Sequence, residues 1–541
     1  MFAAITLALL APAVADLPRS RAEQTDYTET SRLDDVNRFF SDLQQHSDFV
    51  RVGSFGKSRE GRDLPFVVLA DPPVAHPRDA RATGKPVVLV MANIHAGEVE
   101  GKEAVQHLAR RVVAGDLKPL LGSLVLLIAP VYNVDGNEKI DVMNRTAQNG
   151  PVAGVGVREN ADGLDLNRDF MKLDSPEARA LVGLFDRWDP LLIVDLHTTN
   201  GSYHGYHLTY SIPLNPATDP RLAVQHRETL IPALARTMSD RHKFRTYYYG
   251  NFSGANPRPL AADGLSWQAF SPAPRVGTNY FGLRNRFSIL SEAYSYMTFR
   301  RRVEVTEAFV EEIWKYVAAN AAEMTEVARR ADADAVRRGR TGPPVKIGAA
   351  HRPKALSAPV DILVGEVKAV RNPRSGRDMT AMVEDKFVPL RVPDFGAFEA
   401  TRTVDAARMY LFPPGGTGKA AADNLRQHGV VVEELTAALT ADVETVVVEG
   451  ITRGEKPSQG HREVRLAGQT RAGRATFPAG TVVVRTAQPL GTLAAYLLDP
   501  ESDDGLTTWN VFDPDLAVGR AHPVARLRGD VRLAAKVVGG P

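Results

Sequence analysis

The sequence predicts an α/β protein: a mixed, mostly parallel sheet flanked by helices, followed by a β-rich α+β C-terminal domain. Three observations predict it. Through the first two thirds of the chain, short continuous apolar runs alternate with longer amphipathic stretches, the pattern of buried strands joined by helices. Residues able to do chemistry stand at the ends of several of those runs, where open α/β sheets bind ligands. Beyond residue 345 the pattern changes to Val-rich segments punctuated by turn residues.

The elements follow in order. Met1–Ala15 is a short apolar stretch ending Ala13-Val-Ala15, which reads as a secretory signal cleaved after Ala15, although it lacks a positive start. Export to a periplasm or the medium is expected. Residues 16–30 are polar and read as a flexible lead-in to a first domain over 31–335. Phe49–Ser54 and Leu64–Ala70, separated by Lys57-Ser-Arg-Glu-Gly-Arg62, predict an antiparallel hairpin. Strands are expected at 86–92, 123–130, 191–197 and 287–292, with helices over Val99–Val113, Ser175–Arg187 and Val303–Ala333. Arg337-Arg-Gly-Arg-Thr-Gly-Pro-Pro344 reads as part of a linker over 336–345. Residues 346–541 read as a β-rich accessory domain with one embedded α/β piece, from Arg408 to Glu433.

Composition excludes several classes. A chain of 541 residues predicts two or three domains. A net charge of +2 gives no support for a nucleic-acid partner. The arginines of Phe299-Arg-Arg-Arg302 and of 337–340 read as solvated helix faces. There is no cysteine, so thiol nucleophiles, Cys-ligated metals and disulfides are excluded. No segment after the start is long and apolar enough to cross a bilayer, so no stable membrane insertion is expected once the start is removed. Gly415-Gly-Thr-Gly-Lys419 resembles a phosphate loop, but Pro413 and Ala420 stand where such a loop needs Gly and Ser or Thr, so no nucleotide binding follows.

The chemistry concentrates in Asn93-Ile-His-Ala-Gly-Glu98, which places His95 and Glu98 three residues apart behind an apolar strand. His197 ends a second strand. Two imidazoles and a carboxylate are the ligand set of a catalytic zinc that keeps a position open for water. Glu292, on a third strand, stands where a general base is needed. Asp165 is a candidate to orient one of the histidines.

Ile94-His-Ala-Gly-Glu98, Asn133-Val-Asp-Gly136, Asn144-Arg145, Asp165-Leu-Asn-Arg168, Asp195-Leu-His197 and Leu290-Ser-Glu292 follow in order and together resemble the zinc carboxypeptidase family. Ser58-Arg-Glu-Gly-Arg62 also resembles that family's opening, and the likeness covers about 35–330. The resemblance implies the fold of that family over this stretch. It implies one zinc ion held by His95, Glu98 and His197, with Glu292 activating water and passing its proton to the leaving amine. It further implies that Arg145 stabilises the oxyanion and that Asn167 with Arg168 holds the terminal carboxylate of a peptide substrate. Digestive members carry a mobile tyrosine, for which Tyr280 and Tyr247 to Tyr249 are candidates. His204 and His207 are candidates for the cleft wall or for a surface loop. Asp195-Leu-His-Thr-Thr199 is also similar to the aspartoacylase and succinylglutamate desuccinylase branch.

The expected function is an exported zinc metallocarboxypeptidase. A zinc deacylase or cell-wall peptide amidase on the same scaffold is the first alternative. A catalytically silent peptide-binding module is the second, disfavoured because Glu292 and Arg145 are both present.

Overall fold

The computed structural model describes residues 17–539 apart from 255 and 257–263. The signal-like stretch 1–15 lies outside the described residues. An eight-stranded sheet is built from β1 (Val50–Lys57), β2 (Asp63–Leu69), β3 (Val87–Ala92), β4 (Val125–Ala129), β5 (Leu192–Thr199), β6 (Leu208–Ser211) and β7 (Thr246–Tyr248). After the short strands β8 (Asn251–Phe252) and β9 (Trp267–Gln268), β10 (Phe287–Tyr294) completes it. The order is β1-β2-β4-β3-β5-β10-β6-β7. Its centre, β4-β3-β5-β10, is parallel, while β1, β2 and β6 join by antiparallel pairs.

Every residue of β3, β4 and β5 is buried. That is why these strands are continuous apolar runs without alternation: helices cover both faces of a parallel sheet. The helix Pro176–Trp188 starts where the sequence signals it, with Ser175 Oγ accepting the N–H of Ala178 and Pro176 at its first position. The helices Glu100–Ala114 and Phe299–Arg340 pack on one another.

The C-terminal region comprises β11 (Lys346–Lys354), β12 (Val360–Arg371), β13 (Asp378–Val392), β14 (Asp394–Phe395), β15 (Ala397–Asp405), β16 (Met409–Phe412), β17 (Val432–Leu435) and β18 (Leu439–Arg453). It continues with β19 (Val464–Phe477), β20 (Val482–Arg485), β21 (Ala525–Leu527) and β22 (Ala535–Gly539), and carries the helices Thr417–Gln427 and Gly491–Leu498. Seven strands form one sheet in the order β19-β18-β21-β16-β20-β17-β22. Period-two alternation divides its faces. Tyr410, Phe412, Val482 and Val484 join the main core, whereas Met409, Leu411 and Val483 form a smaller cluster. The main core therefore runs without a break from the first sheet into the C-terminal region.

Three expectations are corrected. The lead-in is packed: Leu17 and Ala22 are buried, Ser20 and Glu23 form a capping box, and Thr30 and Ser31 bond the Glu103 carboxylate. Its polar residues pair with the helix Glu100–Ala114, so polarity there does not mean freedom. The helix Phe299–Arg340 runs into the expected linker, so half of that stretch is helical and Arg337, Arg338 and Arg340 sit at the negative end of its dipole. Arg302 is fully buried, paired with Glu100 at 3.3 Å and donating to the carbonyls of Ser295, Met297 and Gly150. It is a satisfied core cation, not a solvated one. Among the described residues no helix is long and apolar enough to cross a membrane.

Candidate metal centre and active-site cleft

Three adjacent strands bring the predicted residues together. His95 and Glu98 follow the end of β3, His197 lies on β5, and the β5–β10 register sets Glu292 directly beside His197. His95 Nδ1 lies 3.0 Å from Glu98 Oε1, and His197 Nδ1 lies 2.9 Å from Glu98 Oε2 and 3.2 Å from His95 Nδ1. All three side chains are buried, and one potential ligand atom from each lies within 4.8 Å of the others. Gly97 is required between them, because a Cβ there would stand 2.7 Å from Arg145 Cδ and 2.9 Å from the Gly156 carbonyl oxygen.

The far nitrogens face carboxylates. Asp165 Oδ1 lies 3.0 Å from His95 Nε2, and Asp195 Oδ2 lies 2.8 Å from His197 Nε2. Protons held on both Nε2 atoms leave two imidazole lone pairs and a carboxylate converging on one point. Such a cluster repels itself unless a cation sits within it, and the donor set suits zinc. The pKa shifts register the same field. Burial opposes charge on His197, but Asp195 and Glu98 outweigh it and hold the imidazole well above its usual range. Burial also opposes ionisation of Glu98, yet His95 and Arg145 hold its carboxyl well below the usual carboxylate range. Burial pushes Glu292 up to about 8, against the pull of His197 and with the help of the Glu98 and Asp195 charges.

The cleft in front of this cluster has a volume of about 400 Å³, with Arg145, Arg158, Asn167, Arg168, Tyr249 and Glu292 on its walls. Arg145 Nη2 donates to Glu98 Oε1 at 2.7 Å, so its charge is engaged by the Glu98 carboxylate. Arg158 had not been singled out from the sequence. Its Nε and Nη2 donate to Asp165 Oδ2 at 3.0 and 2.8 Å, while Nη1 stands 3.3 Å from His95 Nδ1. Arg168 is partly buried, and among the described residues no carboxylate pairs with it within 4.0 Å. Burial lowers its pKa, the mark of a guanidinium that has lost water.

The tyrosine candidates separate clearly. Tyr280 is fully buried, its hydroxyl on His428 Nδ1 and Arg284 Nη1, away from the cleft. Tyr247 stacks on Tyr206 and donates to Asp394, and Tyr248 faces Arg227. Tyr249 alone of the group lines the cleft, where burial and the Glu292 charge push its pKa up to about 12. His204 and His207 lie elsewhere: His204 stacks on Tyr294, and His207 Nε2 lies 3.2 Å from Glu384. Asp195 had a readable signal, since it stands two residues before His197 on the same strand face. Arg158 had none, because a loop of no fixed period delivers it; Tyr249 stood among the tyrosine candidates, but nothing local separated it from Tyr247 and Tyr248.

Residues 36–272 match the family model described as zinc carboxypeptidase. Glu292 lies beyond the matched segment. Among curated relatives, carboxypeptidase Z of Mus musculus is 26% identical over 258 residues, covering 42% of this chain and 38% of the relative. Carboxypeptidase 2 of Trichophyton equinum is 21% identical over 501 residues, covering 87% of this chain and 82% of the relative. The chain thus spans less than half the length of carboxypeptidase Z. Among solved structures, a metallo-carboxypeptidase from Burkholderia cenocepacia aligns with a TM-score of 0.40 at 19% identity, over 55% of this chain and 71% of the other. Carboxypeptidase A from Helicoverpa armigera aligns with a TM-score of 0.40 at 18% identity, over 55% and 75%.

Proposed function

We propose, from the premise that residues 36–272 belong to the zinc carboxypeptidase family, that this protein is a zinc-dependent metallocarboxypeptidase that removes C-terminal residues from peptides. The observation that carries the reading is Arg168. A partly buried guanidinium with no carboxylate partner among the described residues, beside Asn167 on the cleft wall, is a site for an incoming carboxylate.

His95, Glu98 and His197 would hold one zinc ion, which would supply acidified water and Lewis-acid polarisation of a carbonyl. The chain's own residues do the rest. Asp165 holds the His95 imidazole with its proton on Nε2, and the Asp195 carboxylate, 2.8 Å from His197 Nε2, favours a proton on that nitrogen. Arg168 and Asn167 fix the substrate's terminal carboxylate, which sets the last peptide bond against the metal ligands. Glu292 in its ionised form accepts a proton from the attacking water and delivers it to the leaving amine. The oxyanion falls to Arg158 rather than to Arg145, the residue expected from the sequence. Arg145 is committed to Glu98, whereas Arg158 directs Nη1 toward the ligand cluster. Tyr249, with its pKa at about 12, stays protonated at neutral pH and can donate to bound substrate. Export is part of the proposal, resting on the apolar stretch that ends Ala13-Val-Ala15, and N-terminal sequencing of protein recovered outside the cytoplasm tests it.

The deciding experiment incubates zinc-loaded protein with a peptide library, half with free and half with amidated C-termini, and reads products by mass spectrometry. Loss of single C-terminal residues from the free acids alone, abolished by Glu292→Gln, is the expected result. Equal cleavage of amidated peptides, or hydrolysis of acyl-amino acids with peptides untouched, overturns it.

A further inference from the structure

The loop between β18 and β19 reaches from the C-terminal region onto the segment that carries Asp165, Asn167 and Arg168. Its tip is a two-residue turn closed by Ser458 and His461, whose N–H groups each donate to the other's carbonyl at 2.7 and 3.0 Å. Both central residues are left-handed, Gln459 at φ 54° and Gly460 at φ 78°. Such turns favour Asn-Gly or Asp-Gly, because a short polar side chain tolerates this conformation and a longer one does not. Gln459 is therefore a poor choice for the turn alone.

Its side chain supplies the reason. Gln459 Oε1 accepts the backbone N–H of Asp165 at 2.8 Å. Asp165 opens the short helical turn Leu166–Arg168, accepts the N–H of Asn167 at 2.9 Å through Oδ1, and contacts His95 through the same oxygen. Contacts on either side hold the tip in place: His461 Nε2 lies 2.8 Å from Asp174 Oδ2, and Glu463 accepts from Arg275 Nη1 at 2.5 Å. A cavity of about 660 Å³ lies between the two regions, with Asp165, Arg168 and Val276 on one side and Phe398, Gln459 and Arg465 on the other. Arg168 and Val276 line the catalytic cleft as well, so the C-terminal region forms the space behind the carboxylate site.

We infer that Gln459 is a positioning residue through which the C-terminal region sets the catalytic cleft: its hydrogen bond to Asp165 fixes the turn that presents Asn167 and Arg168 and orients His95. A strained turn residue whose side chain reaches an active-site backbone is a local conflict that function explains. The consequence for catalysis rests on the peptidase reading above, but the positioning itself does not.

Gln459→Asn separates the two demands on this residue. Asparagine suits the turn better and is one methylene too short to reach Asp165. In the full chain, the variant is expected to melt no lower than wild type, while the amides of 164–168 exchange faster by hydrogen-exchange mass spectrometry. Its kcat/KM on free-acid peptides is expected to fall roughly 10-fold. Gln459→Glu keeps the acceptor oxygen and is expected to keep wild-type exchange at 164–168. Unchanged exchange there in Gln459→Asn overturns the inference, as does faster exchange accompanied by a lower melting temperature and loosening of the whole hairpin. If wild-type protein cleaves no peptide, the peptidase reading fails and the exchange experiment still decides the role of Gln459.

Discussion

Two guanidiniums flank His95, Glu98 and His197, and their hydrogen bonds assign them different work. Arg145 holds the Glu98 carboxylate in place through its 2.7 Å hydrogen bond, so Arg145→Ala frees that carboxylate to turn and is expected to weaken zinc retention against a chelator more than it slows the loaded enzyme. Arg158→Ala is expected to lower kcat by roughly 10²–10³, the usual cost of losing an oxyanion donor. Comparing zinc affinity and kcat in the two variants checks both, and the opposite pattern restores the oxyanion to Arg145. Arg168 is argued on the same scale. Arg168→Ala is expected to cost roughly 10- to 100-fold in kcat/KM on free-acid peptides, since hydrogen bonds to a charged group are worth about 1.5–3 kcal/mol. Arg168→Lys restores only part of this, because an ammonium cannot match the carboxylate's two oxygens at once. Wild-type kcat/KM on free-acid peptides in Arg168→Ala would show that Arg168 does not read the terminal carboxylate.

At the scale of elements, the hairpin tip is held by an ion pair that titrates. The Asp174 carboxylate raises the pKa of His461. His461 and Lys172 in turn hold Asp174 below its usual range, against the effect of burial. The imidazole also bonds Asn510 and packs edge-on against Trp509. A histidine raised on folding contributes stability that is complete below its unfolded value of about 6.5 and is lost as pH climbs through the raised folded value. Docking of residues 454–463 is thus expected to loosen as pH rises through the raised folded value of His461, above about 6.5. Hydrogen exchange of the tip between pH 6 and 9 checks this, and His461→Gln should remove the dependence.

At the scale of the whole molecule, the C-terminal region shares its core with the sheet that bears the site. Tyr410, Leu425, Tyr496 and Trp509 belong to the same apolar cluster as Leu181 and Phe281. Arg275 is clasped by Asp504 and Glu463 and lies over the Trp509 ring at 4.3 Å, next to the cleft residue Val276. Removing residues 346–541 uncovers that surface, and the truncated chain is expected to aggregate on expression, as large exposed apolar patches do. A soluble truncation that melts cooperatively at the wild-type temperature would show the two regions to be independent.

What the sequence by itself determined is the set of features governed by local periodicity and capping. Continuous apolar runs marked β3, β4 and β5, Ser175-Pro176 marked a helix start, and His95, Glu98, His197 and Glu292 were legible because each sits at or near the end of a buried strand. Asp195 was equally legible at its two-residue spacing from His197. Only the tertiary structure decided which of the remaining polar groups reach the cleft. Arg158 and Tyr249 arrive there from loops, Gln459 reaches the adjoining cavity from another, and Tyr280 is withdrawn into the core. A loop's direction is set by the surfaces it packs against, some of them hundreds of residues away, and no local period encodes it. The same reason hid the roles of Arg302 and of the N-terminal lead-in. Their polar groups look solvated until the buried partners that satisfy them, Glu100 and Glu103, are brought alongside by the fold.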